Sequence, residues 1–154
     1  MLICDISTTH KYGKMSLDIM LEPYSLCWQE MVVLLALDGK PDSSQSLLTV
    51  LLQTDKGNVS KLLHKMEKKA LLFRKPGILD KRQKDNVLTY KAQKLIPEVK
   101  KVMTEWESFC FRGLSPKEIE LFSKISQVVF KNTMDLIGSS MENAITEIDE
   151  IPNK

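Results

Sequence analysis

Long apolar runs are missing from this 154-residue chain. The longest, Met31 to Leu37, is far short of the ~18 residues of a membrane span; a buried helix accounts for it, and no membrane partner is expected. The first residues lack the succession of basic region, apolar core and small-residue cleavage site that marks secretion, so a cytoplasmic location is expected. Cysteine is scarce: Cys4, Cys27 and Cys110 are odd in number and widely spaced, which excludes a disulfide framework and a zinc ribbon and implies reduced thiols. The only histidines are His10 and His64, and without a carboxylate–histidine pattern around either no metal is expected. A nucleophile–base set and a phosphate loop are missing as well, so neither an enzyme nor a cofactor is expected.

What remains is the composition of an ordinary globular protein, 43% hydrophobic and 27% charged, of a length that fits one domain with one substantial core. Its charge is unevenly placed. Residues 54 to 85 hold ten Lys/Arg against four Asp/Glu, net +6, whereas the remainder is net −4. The positive charge is concentrated where a polyanion would need it.

Periodicity organises the chain around that basic stretch. A helix is expected over about 9–22, ended by Pro23 because the residue before a proline avoids the helical region. Ser25 is a candidate cap for the next helix, whose apolar positions Trp28, Met31, Val32, Leu34, Leu35 and Leu37 cover most of its circumference and place it in the core. Gly39 and Pro41 stop it. Asp42, Ser43 and Ser44 then offer caps for a short helix carrying Leu47, Leu48, Leu51 and Leu52, and Thr54 or Asp55 caps a second. In that second helix Val59, Leu62, Leu63 and Met66 point inward, while Lys56, Gly57, Asn58, Ser60, Lys61, His64, Lys65 and Lys68 point outward. Two strand-like pieces, Leu71 to Arg74 and Asn86 to Thr89, flank a long turn-rich tip. Two short helices followed by a basic hairpin read as a helix-turn-helix with a wing.

Downstream, Thr89 can cap a long helix with a stripe at Leu95, Ile96, Val99, Val102, Met103, Trp106, Phe109 and Cys110, interrupted by Pro97 and ended by Gly113. Ser115, Pro116 and Glu118 form a capping box with proline at the first helical position. The last helix carries Ile119, Phe122, Ile125, Val129, Leu136 and Ile137. Gly138 to Ser140 are a candidate break, after which Met141, Ile145 and Ile148 resume the pattern. Trp28, Trp106 and Phe109 are expected in the core or a dimer interface. The expected fold is mainly α with a small β-hairpin wing (α+β).

The run Asp55-Lys56-Gly57-Asn58-Val59-Ser60-Lys61-Leu62-Leu63, the run Met66 to Arg74, then Asp80-Lys81-Arg82 and Leu88-Thr89, resemble the MarR (multiple antibiotic resistance regulator) family of winged-helix transcription factors. Spacings match as well as residues, and with the flanking helices the resemblance covers about residues 25 to 133. It implies a single domain over 1–154, with a winged helix-turn-helix lobe at about 25–89 and dimerisation helices at about 9–22, 90–112 and 116–150. The implied function is a sequence-specific DNA-binding transcriptional regulator. It would act as a homodimeric repressor on a pseudo-palindromic operator of double-stranded DNA, released by a small-molecule effector or an oxidant. The candidate DNA contacts are Lys56, Asn58, Ser60, Lys61, His64, Lys65 and Lys68 on the recognition helix, and Arg74, Lys81 and Arg82 in the wing. Asn58, Ser60 and Lys61 would lie near base edges and Lys65 and Lys68 near phosphates, while Arg82 at the wing tip would enter the minor groove. Asp80 would brace the wing, with Arg74 its candidate partner.

The departures from the family pattern are Thr49 for a small residue, Gln53 where glycine is common, and Ala70 for the glycine after the recognition helix. They put the local turn geometry in question. Cys4 and Cys27 are the candidate redox residues. Cys4 has the acidic neighbour Asp5 rather than the positive surroundings that activate a thiol, and Cys27, in the first turn of its helix, faces a favourable helix dipole. Burial is the competing expectation for Cys27 and Cys110. The alternative function is a winged-helix protein-interaction module whose basic face meets an acidic partner.

Overall fold

The computed structural model describes residues 1–41, 43, 45–76 and 84–137. They fall into two compact units, Met1–Thr104 and Glu105–Lys154. The first unit opens with α1 (Leu2–Leu21), which begins near the first residue rather than at Thr9, and a 3-10 turn over Glu22–Tyr24 with Pro23 at its centre. Then come α2 (Trp28–Gly39), α3 (Gln45–Leu52), α4 (Lys56–Lys68), β1 (Leu72–Pro76) and β2 (Lys84–Leu88), and α5 (Tyr90–Cys110) runs on into the second unit. That unit contains α6 (Pro116–Ile137).

The core of the first unit holds part of the expected set, with Trp28, Val32, Leu35, Leu51, Leu95 and Met103 only half-buried. Leu34, Leu37, Leu47, Leu48, Leu52, Val59, Leu62, Leu63 and Met66 are all buried, joined by Leu71 and Leu72 from the hairpin and by Ile96, Val99 and Val102 from α5. Each such side chain stabilises the fold by roughly 1.5–3 kcal/mol on burial, so the apolar stripes of α3 and α4 hold the helix-turn-helix against α2. Trp28 joins α2 to α1: its backbone N–H donates to Asp18 Oδ1 at 2.7 Å, and Lys14 Nζ lies 4.1 Å from its ring centroid. That contact places Trp28 in a seam between helices.

Caps differ from expectation at the start of α2 and α3. Ser25 takes a left-handed conformation and closes the 3-10 turn instead of starting α2. Cys27 is the N-cap: its side chain accepts from the Glu30 N–H, and Glu30 Oε2 accepts from the Cys27 N–H at 3.0 Å. A thiol thus takes the place of the usual hydroxyl in a capping box. Ser43 also turns backwards, its hydroxyl donating to Lys40 O at 2.7 Å and Ala36 O at 3.3 Å, so it finishes α2 rather than starting α3. Asp42 and Ser44 lie outside the described residues.

The turns before and after α4 both close without glycine. Gln53 (φ 51°) and Ala70 (φ 55°) are left-handed. Each is followed by the two bonds of a Schellman ending, Gln53 N to Val50 O and Thr54 N to Thr49 O in one, Ala70 N to Glu67 O and Leu71 N to Met66 O in the other. The departures at these positions therefore keep the turn geometry and add strain. An L-residue there costs roughly 1–2 kcal/mol, less the ~0.5–1 kcal/mol that glycine loses in chain entropy. Gln53→Gly and Ala70→Gly are each expected to raise unfolding free energy by about 0.5–1 kcal/mol, read as a higher urea midpoint at unchanged slope; an unchanged or lower midpoint would refute the strain argument.

The hairpin is antiparallel, pairing Leu72 with Leu88, Arg74 with Asn86 and Pro76 with Lys84. It begins one residue later and extends two residues further than the Leu71 to Arg74 strand expected, because the ladder and not the apolar run defines it. Thr89 then caps α5, accepting from the Ala92 N–H at 3.2 Å while donating to Ala70 O at 2.7 Å. The helix continues through Pro97, which is exposed, so the Gln93 carbonyl that loses its partner can turn to solvent.

In the second unit α6 starts with the expected box: the Ser115 N–H donates to Glu118 Oε2 at 2.7 Å and the Glu118 N–H to Ser115 Oγ at 3.4 Å. Phe111 and Phe122 meet edge to face, 5.7 Å between centroids. Leu121, Phe122, Ile125, Val128, Phe130 and Leu136 are exposed. So is Cys110, expected to be buried, since α5 buries no residue beyond Thr104. Residues 138–150, with the expected break and the resumed stripe, lie outside the described residues.

Candidate nucleic-acid interface

The recognition helix, α4, begins at Asp55, whose carboxylate accepts the Asn58 N–H at 2.9 Å and complements the positive end of the helix. Gly57 leaves room for this: a Cβ there would sit 3.0 Å from Asp55 Oδ1. With the four apolar side chains inward, Lys56, Asn58, Ser60, Lys61, His64, Lys65 and Lys68 are all exposed, as their spacing required. Glu67 is the only acidic residue of the helix.

The exposed side chains divide by what they already hold. Asn58 Nδ2 donates to Asp55 Oδ2 at 2.7 Å and to Thr54 Oγ1 at 3.2 Å, so its amide is oriented by the cap and presents an acceptor oxygen. His64 Nδ1 lies 3.4 Å from Glu67 Oε2. Lys65 Nζ lies 3.4 Å from Glu30 Oε1. Lys56, Ser60, Lys61 and Lys68 have no side-chain bond or ion pair among the described residues, which leaves them the donors most available to a polyanion.

Arg74 is directed inward. Its Nε and Nη2 both donate to Glu67 Oε2, at 3.0 and 2.8 Å, and its side chain is only 19% exposed. These bonds, with His64 adding to them, hold the Glu67 carboxyl below the ordinary carboxylate range. Arg74 thus fastens the first strand of the wing to the recognition helix, because Glu67, the penultimate residue of α4, lies within reach. Asp80, Lys81 and Arg82 lie outside the described residues.

Behind α4 stands Glu30, fully buried. Its Oε2 accepts from Lys69 Nζ at 2.8 Å as well as from the Cys27 N–H, and Lys69 also donates to Ser25 O at 2.8 Å. Oε1 is 2.7 Å from the same ammonium and 3.4 Å from Lys65, close contacts that are electrostatic rather than well-directed hydrogen bonds. Burial alone would push this carboxyl up; the bonds from Lys69 and Cys27 and the two positive charges outweigh it and carry it below its usual value. Sequence reasoning missed Glu30, Glu67 and Lys69. The spacing Cys27-x-x-Glu30 was the available signal for the first, concealed because cysteine is not a usual cap.

Cys4 is exposed and Cys27 half-buried. Burial raises the Cys27 thiol against the opposing hydrogen bonds, which lowers its thiolate fraction and makes it a poor oxidant sensor. Cys110 is raised too, by desolvation and by Glu107. Among the described residues no group of three or more His, Cys, Asp or Glu could hold a metal ion, and no helix is long and apolar enough to cross a membrane.

Residues 26–83 match the model of the MarR family. The fold is similar to a MarR transcriptional regulator from Methanosarcina mazei Go1, at TM-score 0.80 and 24% identity over 88% of this chain and 97% of that one. It is similar to the transcription regulator MarR from Oenococcus oeni PSU-1, at TM-score 0.67 and 26% identity over 85% and 99%. A MarR-type regulator from Listeria monocytogenes solved with a 26mer DNA is similar at TM-score 0.78 and 21% identity over 86% and 89%. With the family model resting on the helix-turn-helix and wing just described, and the same fold extending through the flanking helices, this chain has a winged helix-turn-helix fold similar to that of MarR transcriptional regulators, and its residues 26–83 match the MarR family model.

Proposed function

We propose that this chain is a transcriptional regulator that binds double-stranded DNA sequence-specifically as a homodimer and represses from a pseudo-palindromic operator in the cytoplasm. The observation that carries the reading is the exposed face of α4, where Lys56, Ser60, Lys61 and Lys68 stand unengaged beside an oriented Asn58. A helix of this kind, its N-terminal half polar and its length lined with lysines, suits the major groove, short side chains meeting base edges and ammonium groups meeting phosphates. The Listeria monocytogenes relative, solved with DNA, lends the same fold that role.

The dimer is supported by the apolar side chains left uncovered on α1 and α6. Ile6, Met15 and Ile19 on the first and Leu121, Phe122, Ile125 and Val128 on the last are each 47–71% exposed, and large apolar side chains grouped on one exposed helix face mark a surface for association. In this reading the chain is one domain, with the lobe at about 25–89 carried by dimerisation helices. Release by a small-molecule effector or an oxidant completes the proposal, with Cys4 rather than Cys27 the thiol to test.

Salt titration on DNA carrying a selected site is the experiment. The logarithm of the affinity should fall with the logarithm of salt concentration by about 0.9 per phosphate neutralised. Lys61→Ala should weaken binding and reduce that slope by about 1, and Arg82→Ala should weaken binding while the dimer sediments unchanged. Feeble affinity at low salt would overturn the reading in favour of a protein-interaction module with an acidic partner.

A further inference from the structure

The far end of the recognition helix is held from α5. The three carbonyls that follow α4, those of Lys69, Ala70 and Leu71, find their donors in the residues that open α5. Lys91 Nζ donates to Lys69 O at 2.9 Å, Thr89 Oγ1 to Ala70 O at 2.7 Å and to Leu71 O at 3.3 Å, and the Thr89 N–H to Leu71 O at 3.0 Å. Lys69 is fastened to Glu30 of α2 through its own ammonium, so this one residue joins three helices.

Thr89 is also the cap of α5, and its role there is structural. Lys91 has no part in the cap. It is exposed, and an ammonium that exchanges water for a carbonyl gains little net stability. What its bond does supply is direction, a cation at the negative end of α4 anchored on the helix that follows.

Direction matters because of where the base-facing side chains stand. Asn58 and Ser60 lie near the start of α4 and Lys69 just past its end, so at ~1.5 Å per residue about 15 Å of helix separates them from this anchor. A tilt of ~10° about the anchor moves them by roughly 3 Å, close to the ~3.4 Å rise of one base pair. We propose that Lys91 is a positioning residue for DNA recognition: its bond to the Lys69 carbonyl sets the angle of the recognition helix against α5, and with it the half-site separation that the dimer accepts. The inference rests on the homodimeric DNA-binding reading above.

The test is a mobility shift on two duplexes, a selected operator and the same sequence with one base pair inserted at its centre. The native chain is expected to lose about tenfold or more in affinity on the insertion and Lys91→Met about threefold or less. Lys91→Arg, which restores a donor, should discriminate as the native chain does. So should Lys94→Met, which removes the same charge one turn later, where the ammonium lies over the Tyr90 ring at 4.7 Å. All variants should sediment as the native dimer. A chain that was merely destabilised would weaken on both duplexes alike and leave the ratio unchanged. The inference is overturned if Lys91→Met discriminates as sharply as the native chain or fails to dimerise, if Lys94→Met loses discrimination equally, or if the native chain accepts both spacings alike. A native chain that bound no duplex would overturn the DNA-binding reading along with it, so the two failures are told apart.

Discussion

Glu30→Ala is expected to lower unfolding free energy by about 3 kcal/mol, the largest stability loss of any single polar substitution in the described structure. Removing one member of a buried ion pair typically costs 3–5 kcal/mol because the partner's charge stays buried. Here Lys69 and Lys65 keep 31% and 56% exposure and can return to water, which places the loss at the low end of that range; the broken capping box adds ~1 kcal/mol. Glu30→Gln retains the volume and an oxygen for the Cys27 N–H, so about half the loss is expected. The two variants separate charge from packing by urea unfolding at pH 7.

The pH dependence has a defined sign. Because the Glu30 carboxyl is depressed in the folded chain, its contribution is fully present above the unfolded value, about 4.3. It is lost as pH falls through the lower folded value. The stability gap between the native chain and Glu30→Gln should therefore be constant from pH 7 to about 5 and shrink below about 4.3. A gap that widened on acidification would contradict the ion-pair account. Since Lys65 and Lys69 lie on and just after the recognition helix, both variants should also loosen α4.

Ile125→Asp is expected to convert the proposed dimer to monomers and to weaken binding to the proposed operator by 100-fold or more. Ile125 is 53% exposed on α6, amid the uncovered apolar stripe; a buried unpaired carboxylate there would cost several kcal/mol at an interface. Binding through two tethered lobes exceeds binding through one by ~10²–10⁴, so losing the dimer should remove that factor while α4 itself is untouched. Gln127→Asp, on the opposite face by helical geometry, introduces the same charge and should leave both properties unchanged. Sedimentation and mobility shift on the two variants decide the matter: a dimeric Ile125→Asp protein, or a monomer with native affinity, would sink the bivalent reading.

Much of this molecule is legible from local pattern. The stripe Val59, Leu62, Leu63 and Met66 is buried as spaced, and the seven polar positions of α4 are exposed, because a 3.6-residue period determines which side of a helix meets the core. Ser115 and Glu118 cap α6 as their spacing required, since both partners of a capping box lie within one turn. The misplaced boundaries share one cause: the start of α1, the cap of α2 and the ends of the hairpin are decided by which hydrogen bonds actually form, and several residue types can compete for each.

What could not be read were the pairings across the chain. Glu30 reaches Lys69 over 39 positions, and a buried acid looks like an exposed one until the fold brings it a cation. Arg74 is engaged by Glu67 on the helix before it. The sequence by itself determined the winged-helix fold, the inward face of α4 and the concentration of positive charge, because these follow from residue type and period within one element. Only the tertiary structure decided which charges of the recognition helix are held and which are unengaged, because an ion pair depends on a few ångströms between groups distant in the chain.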